Sequence, residues 1–405
     1  MKMSLGGPNF DGGLCRRGGR IVRRRAYLVT LILLGLLLLA ACHRSSESRG
    51  AYHEYAYITN GKDNSVTVID VLTLRAIKTL TVGRQPTGIA ANPHKNEIYV
   101  VNTESDNISF IDAELNRVVA TVGVHHLPYF ISVSADGKRG YVANAGSANI
   151  SVLDLETRKV INNIRVGAAP GLARVSADGS TVVVANRGDN TVSVIDTGRM
   201  SVRTTLSVCR QPEDVVILPD SSKAFVSCGA SDQVAAIDLK NDRVLALLDV
   251  GKTPVSLAMK PDGGEIFVSN FGAQSVSVIE TSSNEVGASY LMGNNPTRCL
   301  VSADNALLYV SDFGSNTVTK FSILDGERVV TVPVGSKPDA LALSQNQAYL
   351  FVLDTGSGDV AVVRTTEQRY KGRGNEIVSP AALATTIPTG AQPNQIVIKA
   401  FLGAH

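Results

Sequence analysis

The sequence predicts an all-β chain: a single β-propeller of four-stranded antiparallel blades, eight in number with seven as the alternative, closed by the C-terminal strand completing the first blade. Three observations predict it. Tyr57-Ile58-Thr59-Asn60 returns as Tyr99-Val100-Val101-Asn102 and Tyr141-Val142-Ala143-Asn144, and its last position recurs every 42 residues to Asp354. Pro86, Pro128, Pro170, Pro212, Pro254, Pro296 and Pro338 keep the same interval of 42. Inside each unit, apolar and β-branched residues alternate with period two, as in Val66-Thr67-Val68-Ile69-Asp70, which is the period of strands and not of helices. Four strands in about 40 residues is a propeller blade.

The elements follow in order. Strand A comes after the proline, as in Gly88 to Asn92, because a residue without an N–H fits where a ladder has yet to begin. A turn such as Ser134-Ala135-Asp136-Gly137 or Lys260-Pro261-Asp262-Gly263 leads to strand B, the Tyr-Val-x-Asn segment. Strand C ends on Asp70, Asp112, Asp154, Asp196, Asp238 or Glu280, whose carboxylates are expected to accept bonds from the C–D hairpin. Strand D is Ala76 to Val82 and its copies. Asn60 and its copies are expected to bond the turning backbone. Gly83, Gly167, Gly251 and Gly335 are expected at positive φ in the D–A loop. Asp63-Asn64, Asp106-Asn107 and Asp189-Asn190 read as Asx turns, since each holds too few carboxylates for a tight calcium site. Eight B–C–D sets match eight A strands, the last after Pro393. The chain thus opens on strand B and closes on strand A, which leaves no free edge.

The segment YITNGKDNSVTVIDVLTLRAIKTLTVGRQP, Tyr57 to Pro86, resembles the YVTN-type β-propeller family, and the resemblance covers about residues 55–400. It implies the fold and leaves the function open, because the family spans surface proteins, binding scaffolds and relatives of enzyme propellers. The family is most often drawn with seven blades, and this chain departs from that.

Three regions result: a signal segment at 1–41, a linker at 42–54 and the propeller at 55–401. Arg23-Arg24-Arg25 precede a stretch of about 15 apolar residues ending at Ala41, short for a bilayer span and suited to a signal peptide; an uncleaved anchor helix is the alternative. Leu39-Ala40-Ala41-Cys42, followed by polar residues, resembles the lipobox of bacterial lipoproteins. That resemblance implies cleavage before Cys42, acylation of its thiol and new amine, and stable attachment to a membrane. It implies a cell-envelope address, on the periplasmic side of a membrane or at the cell surface. His43 after the cysteine favours the outer membrane. Without residues 1–41 the chain holds 32 basic and 35 acidic residues, so nucleic acid is not an expected partner. The absence of Trp weakens a sugar-binding reading.

Candidate site residues come from breaks in the repeat. D–A and B–C loops share one face around the central opening. There the sequence places His125, His126, Tyr129, Phe130, Glu213, Asp214, Arg298 and Asp339 at or before strand A, Arg174 within it, and Arg187, Phe271 and Phe313 in B–C loops. Such a rim suits an extended peptide or a small molecule; a solvated rim without a ligand is the bland alternative. No c-type haem motif, zinc-protease motif, phosphate loop or nucleophile elbow is present, and His125-His126 cannot supply three zinc ligands. No catalytic residue, metal or cofactor is therefore expected. The alternative is that of related propellers, a tetrapyrrole of the haem d1 type or a lactonase-like activity on the same face. His125 or His126 would then be axial ligand or base, and Arg174, Arg187 or Arg298 would face carboxylates.

Two further features stand out. Blade 8 carries about 13 extra residues between strands C and D, including Gln368 to Asn375; this is a flexible loop or a basic contact for an acidic partner or lipid headgroups. Cys209 takes the Gly position of the D–A comb and Cys228 the Asn position of strand B, so they are candidates for a disulfide; two independent buried thiols are the alternative. Hairpin register alone would set Cys228 opposite about residue 214. Cys299 is expected to be a buried free thiol.

Overall fold

A computed structural model describes residues 51–371 and 376–403. The signal segment and Cys42 lie outside the described residues, as do residues 372–375 of the blade 8 insertion. Eight four-stranded sheets follow one another around a ring. Blade 2 is representative: strand A Pro86–Ala91, B Glu97–Asn102, C Asn107–Asp112 and D Arg117–Gly123, paired in that order. Strands B and C are buried almost throughout because neighbouring blades cover both their faces. Strand D is the outer edge; in blade 1, Arg75–Thr81 is exposed except for Leu80.

The core is eight apolar seams, each built from two adjacent blades. One seam joins blades 1 and 8 through Ala56, Ile58, Phe351 and Leu353, so the ring is closed by packing as well as by pairing. Strand B of blade 1, Tyr52–Asn60, pairs with Ser65–Asp70 on one side and with Pro393–Leu402 on the other, Tyr57 opposite Val397. Both strands outrun expectation: the first begins at Tyr52, inside the segment read as linker, and the last reaches Leu402.

Two combs do different work from that expected. The strand B asparagines do not bond turning backbone. Asn102 Nδ2 donates to Asn107 Oδ1 (2.8 Å) and Ser109 Oγ (2.9 Å) of strand C, and Asn60, Asn144, Asn186 and Asn270 repeat the clip. Gly83, Gly167, Gly251 and Gly335 are not at positive φ. They are needed for space: a Cβ on Gly83 would lie 2.6 Å from the Asn102 Cβ. Positive φ falls on the residue before each proline, such as Gln85, Gln211 and Lys337. The Asx loops fix that conformation. Asn64 Oδ1 accepts from the Gln85 amide, Asn190 from Gln211 and Asn316 from Lys337, all at 2.9 Å, so each ties one blade to the next instead of closing its own turn. The strand C carboxylates do accept hairpin amides, as Asp70 does from Leu72 (2.8 Å) and Thr73 (3.1 Å).

The insertion in blade 8 is a two-stranded hairpin, Gln368–Lys371 against Glu376–Ser379. Lys320 holds its base. This buried lysine stands where other blades carry Val68, Val152 or Val194, and its Nζ donates to the carbonyls of Thr365 (3.1 Å) and Pro380 (3.4 Å), which flank the insertion.

In blades 7 and 8 the clip asparagine is replaced by an aspartate; Asp312 keeps two hydroxyl donors, Thr317 (3.2 Å) and Thr319 (2.7 Å), whereas Asp354 faces Asp359 and Ala361. Burial, with Asp359 adding to it, pushes the Asp354 carboxyl up to about 8. The folded state therefore holds a proton that the unfolded chain releases near pH 4, and stability falls as pH rises from about 4 to about 8. Asp354→Asn removes this slope. It is expected to stabilise the protein by roughly 2–4 kcal/mol at pH 8 and by little at pH 4. Thermal unfolding at the two values checks it; an equal shift at both would assign the effect to something other than the proton.

Candidate functional site at the channel mouth

Strand A runs along the central channel. The two residues after each proline, with the residue that follows strand B, form its mouth on the D–A and B–C face. A cavity of about 410 Å³ lies there, lined by Tyr129, Leu172, Arg187, Glu213, Thr253, Val255, Phe271, Thr297, Arg298 and Asp339. Six of the residues expected from sequence are among these, namely Tyr129, Arg187, Glu213, Phe271, Arg298 and Asp339. Leu172, Thr253, Val255 and Thr297 complete the lining and carry no charge or ring that marks them in the sequence.

Charge and rings are interleaved. Arg187 stacks on Tyr129 (Cζ to centroid 4.6 Å) and pairs with Glu213 Oε2 at 2.7 Å. Gly171 makes room for it, since a Cβ there would meet Arg187 Nε at 2.6 Å. Arg174 stacks on Phe130 (4.7 Å) and comes no closer to Asp214 than 3.8 Å. Arg298 Nε stands 3.7 Å from Asp339. The three arginines thus face the protein's own carboxylates. Phe271 and Phe313 meet at 6.1 Å between centroids, with Lys337 Nζ 5.9 Å from the Phe313 ring. Desolvation at the channel mouth holds the guanidinium of Arg174, whose side chain is still 41% exposed, below its ordinary range, eased by Asp214 and worsened by Arg298. Burial also opposes charge on Arg298, but Asp339, Asp214, Tyr129 and Glu213 outweigh it and hold that group above its ordinary range.

The histidines are elsewhere. His125 and His126 are exposed, and neither lines the cavity. His126 Nδ1 lies 3.3 Å from the Asp106 carboxylate. The Leu127 amide foremost, with His126 helping, keeps Asp106 below the usual carboxylate range. Among the described residues no three His, Cys, Asp or Glu side chains are grouped to hold a metal. No helix among them is long and apolar enough to cross a membrane.

Cys209 and Cys228 are joined as a disulfide beside this mouth, with Cα atoms 5.6 Å apart. Strand register sets Cys228 opposite Pro212, not residue 214, because the pairing shifts between Pro212 and Val215; this brings the preceding loop back over Cys228. Cys299 is free as expected but half-buried rather than buried, packed against the seam of blades 6 and 7; its Sγ lies 2.9 Å from Ser269 Oγ, and desolvation pushes its thiol up to about 12. Such a thiol is unreactive at neutral pH.

YNCE-like β-propellers match residues 45–348, most of the chain. The chain belongs to this family. The match ends just before strand B of blade 8, Tyr349–Asp354, so the last blade lies largely outside it. Among solved structures, hydrazine synthase from Kuenenia stuttgartiensis is similar at 25% identity, over 69% of this chain and 96% of that one, with a TM-score of 0.57. The dihydro-haem d1 dehydrogenase NirN, solved in complex with DHE, shares 14% identity over 85% of this chain and 74% of its own, with a TM-score of 0.70. A functionally unknown protein from Desulfotomaculum acetoxidans shares 14% identity over 85% of this chain and 98% of its own, with a TM-score of 0.55. The last two likenesses speak for the fold alone. A search of curated proteins returns no match.

Proposed function

We propose that this YNCE-like propeller is a non-catalytic binding protein of the cell envelope. Its mouth cavity takes a small molecule or the end of a peptide, and an acylated Cys42 holds it on a membrane. The observation that supports binding is the cavity of about 410 Å³, which joins rings, apolar side chains and two guanidiniums in one concave site. Ligand sites are of that size and mixed character. The anchor rests on Leu39-Ala40-Ala41-Cys42.

A tetrapyrrole on the same face is the second reading, and the fold likeness to NirN is what favours it. The residues present do not fit an axially held tetrapyrrole, because both candidate histidines stand away from the cavity lining.

One experiment covers both halves of the proposal. Wild-type and Cys42→Ser full-length chains are expressed and fractionated. The wild type is expected in the membrane fraction as acylated mature protein, and the variant as unacylated protein that accumulates as precursor or is released; a wild type that carries no acyl chain would remove the anchor. The released variant is then screened against small molecules and short peptides by thermal shift, with and without Val255→Trp, which fills the cavity. Hits are expected to lose at least nine-tenths of their shift in the filled variant. If every hit ignores the filling, the cavity is not the site.

A further inference from the structure

The mouth holds more hydrogen-bond donors than acceptors that can use them. Each guanidinium carries five N–H donors. Among the described residues, the side chains of Arg174 and Arg298 donate no hydrogen bond, and their nearest carboxylates stay at 3.8 and 3.7 Å. Arg187 Nε is buried without a partner. The acids are better served. Buried Asp214 already accepts from the Val215 amide (2.8 Å), the Leu257 amide (3.1 Å) and Ser256 Oγ (3.4 Å), which leaves it little for Arg174. Arg298 also raises the cost of charge on Arg174. An anion set between them answers both deficits, and a planar carboxylate matches the fork of a guanidinium.

The geometry points to a small monocarboxylate with an aromatic or apolar body as the ligand class, its charge between Arg298 at the cavity wall and Arg174 two positions deeper in its strand, its body against Tyr129, Leu172, Val255 and Phe271. This deepens the binding reading above and rests on it. Asp339 competes for Arg298 and thereby sets how tightly the anion is held.

The test uses the full-length chain purified in detergent, titrated calorimetrically with N-acetyl-L-phenylalanine, its neutral carboxamide, and acetate. The acid is expected to bind at least tenfold more tightly than either of the others. Arg298→Gln and Arg174→Gln should each weaken the acid tenfold or more and leave the carboxamide unchanged. Asp339→Asn should tighten the acid severalfold, a gain that a merely damaged fold cannot give. Equal affinity for acid and carboxamide overturns the carboxylate inference and leaves the cavity as a binding site. So does an acid that fails to bind while ligands of other chemistry respond to Val255→Trp. If no ligand of any kind responds to that filling, the binding reading itself falls.

Discussion

Deleting residues 391–405 is expected to leave an open ring that no longer unfolds as a stable monomer. The deletion removes strand A of blade 1, Pro393–Leu402, and with it the whole ladder along Tyr52–Asn60. Ile396 and Ile398 pack into the seam with blade 8, and Val397 and Phe401 into the seam with blade 2. At about 1.5 kcal/mol for each apolar side chain, the loss approaches 6 kcal/mol before any hydrogen bond is counted. Asn394 Nδ2 to the Pro86 carbonyl (2.8 Å) and Lys399 Nζ to the Asn92 carbonyl (2.7 Å) are lost as well. Domains are stable by about 5–15 kcal/mol in total, so the cost is of the same order as the stability itself. Tm should fall by more than about 10 °C, and the exposed edge should drive association, seen as a larger species by light scattering. A truncated chain that stays monomeric and melts unchanged would show that this strand does not close the ring.

The second large effect is expected at Cys209 and Cys228. In the mature chain proposed above, which begins at an acylated Cys42, three cysteines remain, so denatured, unreduced mature protein should show one free thiol, that of Cys299. Three free thiols would rule the bridge out. Replacing both cysteines by serine removes a cross-link of sequence separation 19 and should cost about 3 kcal/mol on the chain-entropy account. The repeat itself suggests a rescue. Blades 2, 4 and 6 keep Gly and Asn at these positions, with a hydroxyl seven residues after the Asn, as Ser109 follows Asn102. Blade 5 has Ala235 at that third position. The combination Cys209→Gly, Cys228→Asn and Ala235→Ser rebuilds the polar clip and should recover most of the loss, whereas Cys209→Gly with Cys228→Asn alone should not. Urea unfolding of the three variants orders them.

The fold was legible because one blade is written eight times, and the pattern shows where each strand starts and which residues lie in its interior. The mechanical roles of the combs were not legible. Whether Gly83 serves φ or space depends on how near Asn102 comes, and sequence spacing carries no distance. Of the site, what could be read was what broke the repeat with a charged or aromatic residue. Val255 and Thr297 were passed over because their types are ordinary, although they hold the same register as Tyr129, Glu213 and Asp339. His125 and His126 drew notice for the opposite reason. Their types are unusual, but they stand three and two residues before Pro128, while the lining comes from the two residues after the prolines and the one after strand B, with Thr253 alone from just before a proline. Register would have been the better guide than residue type.

The closing ladder also sets an order in time. Thr59 and Asn394 bond across 335 residues of chain, so strand B of blade 1 is made long before the strand that covers it. Until residues 393–402 emerge, Tyr52–Asn60 has one unpaired edge, while blades 2 to 7 can each close from contiguous chain. Contacts of such sequence separation are slow to form. The first blade is therefore the last to be completed, and during that interval the nascent chain offers a β-edge to which its own eighth blade, a chaperone or another copy can attach.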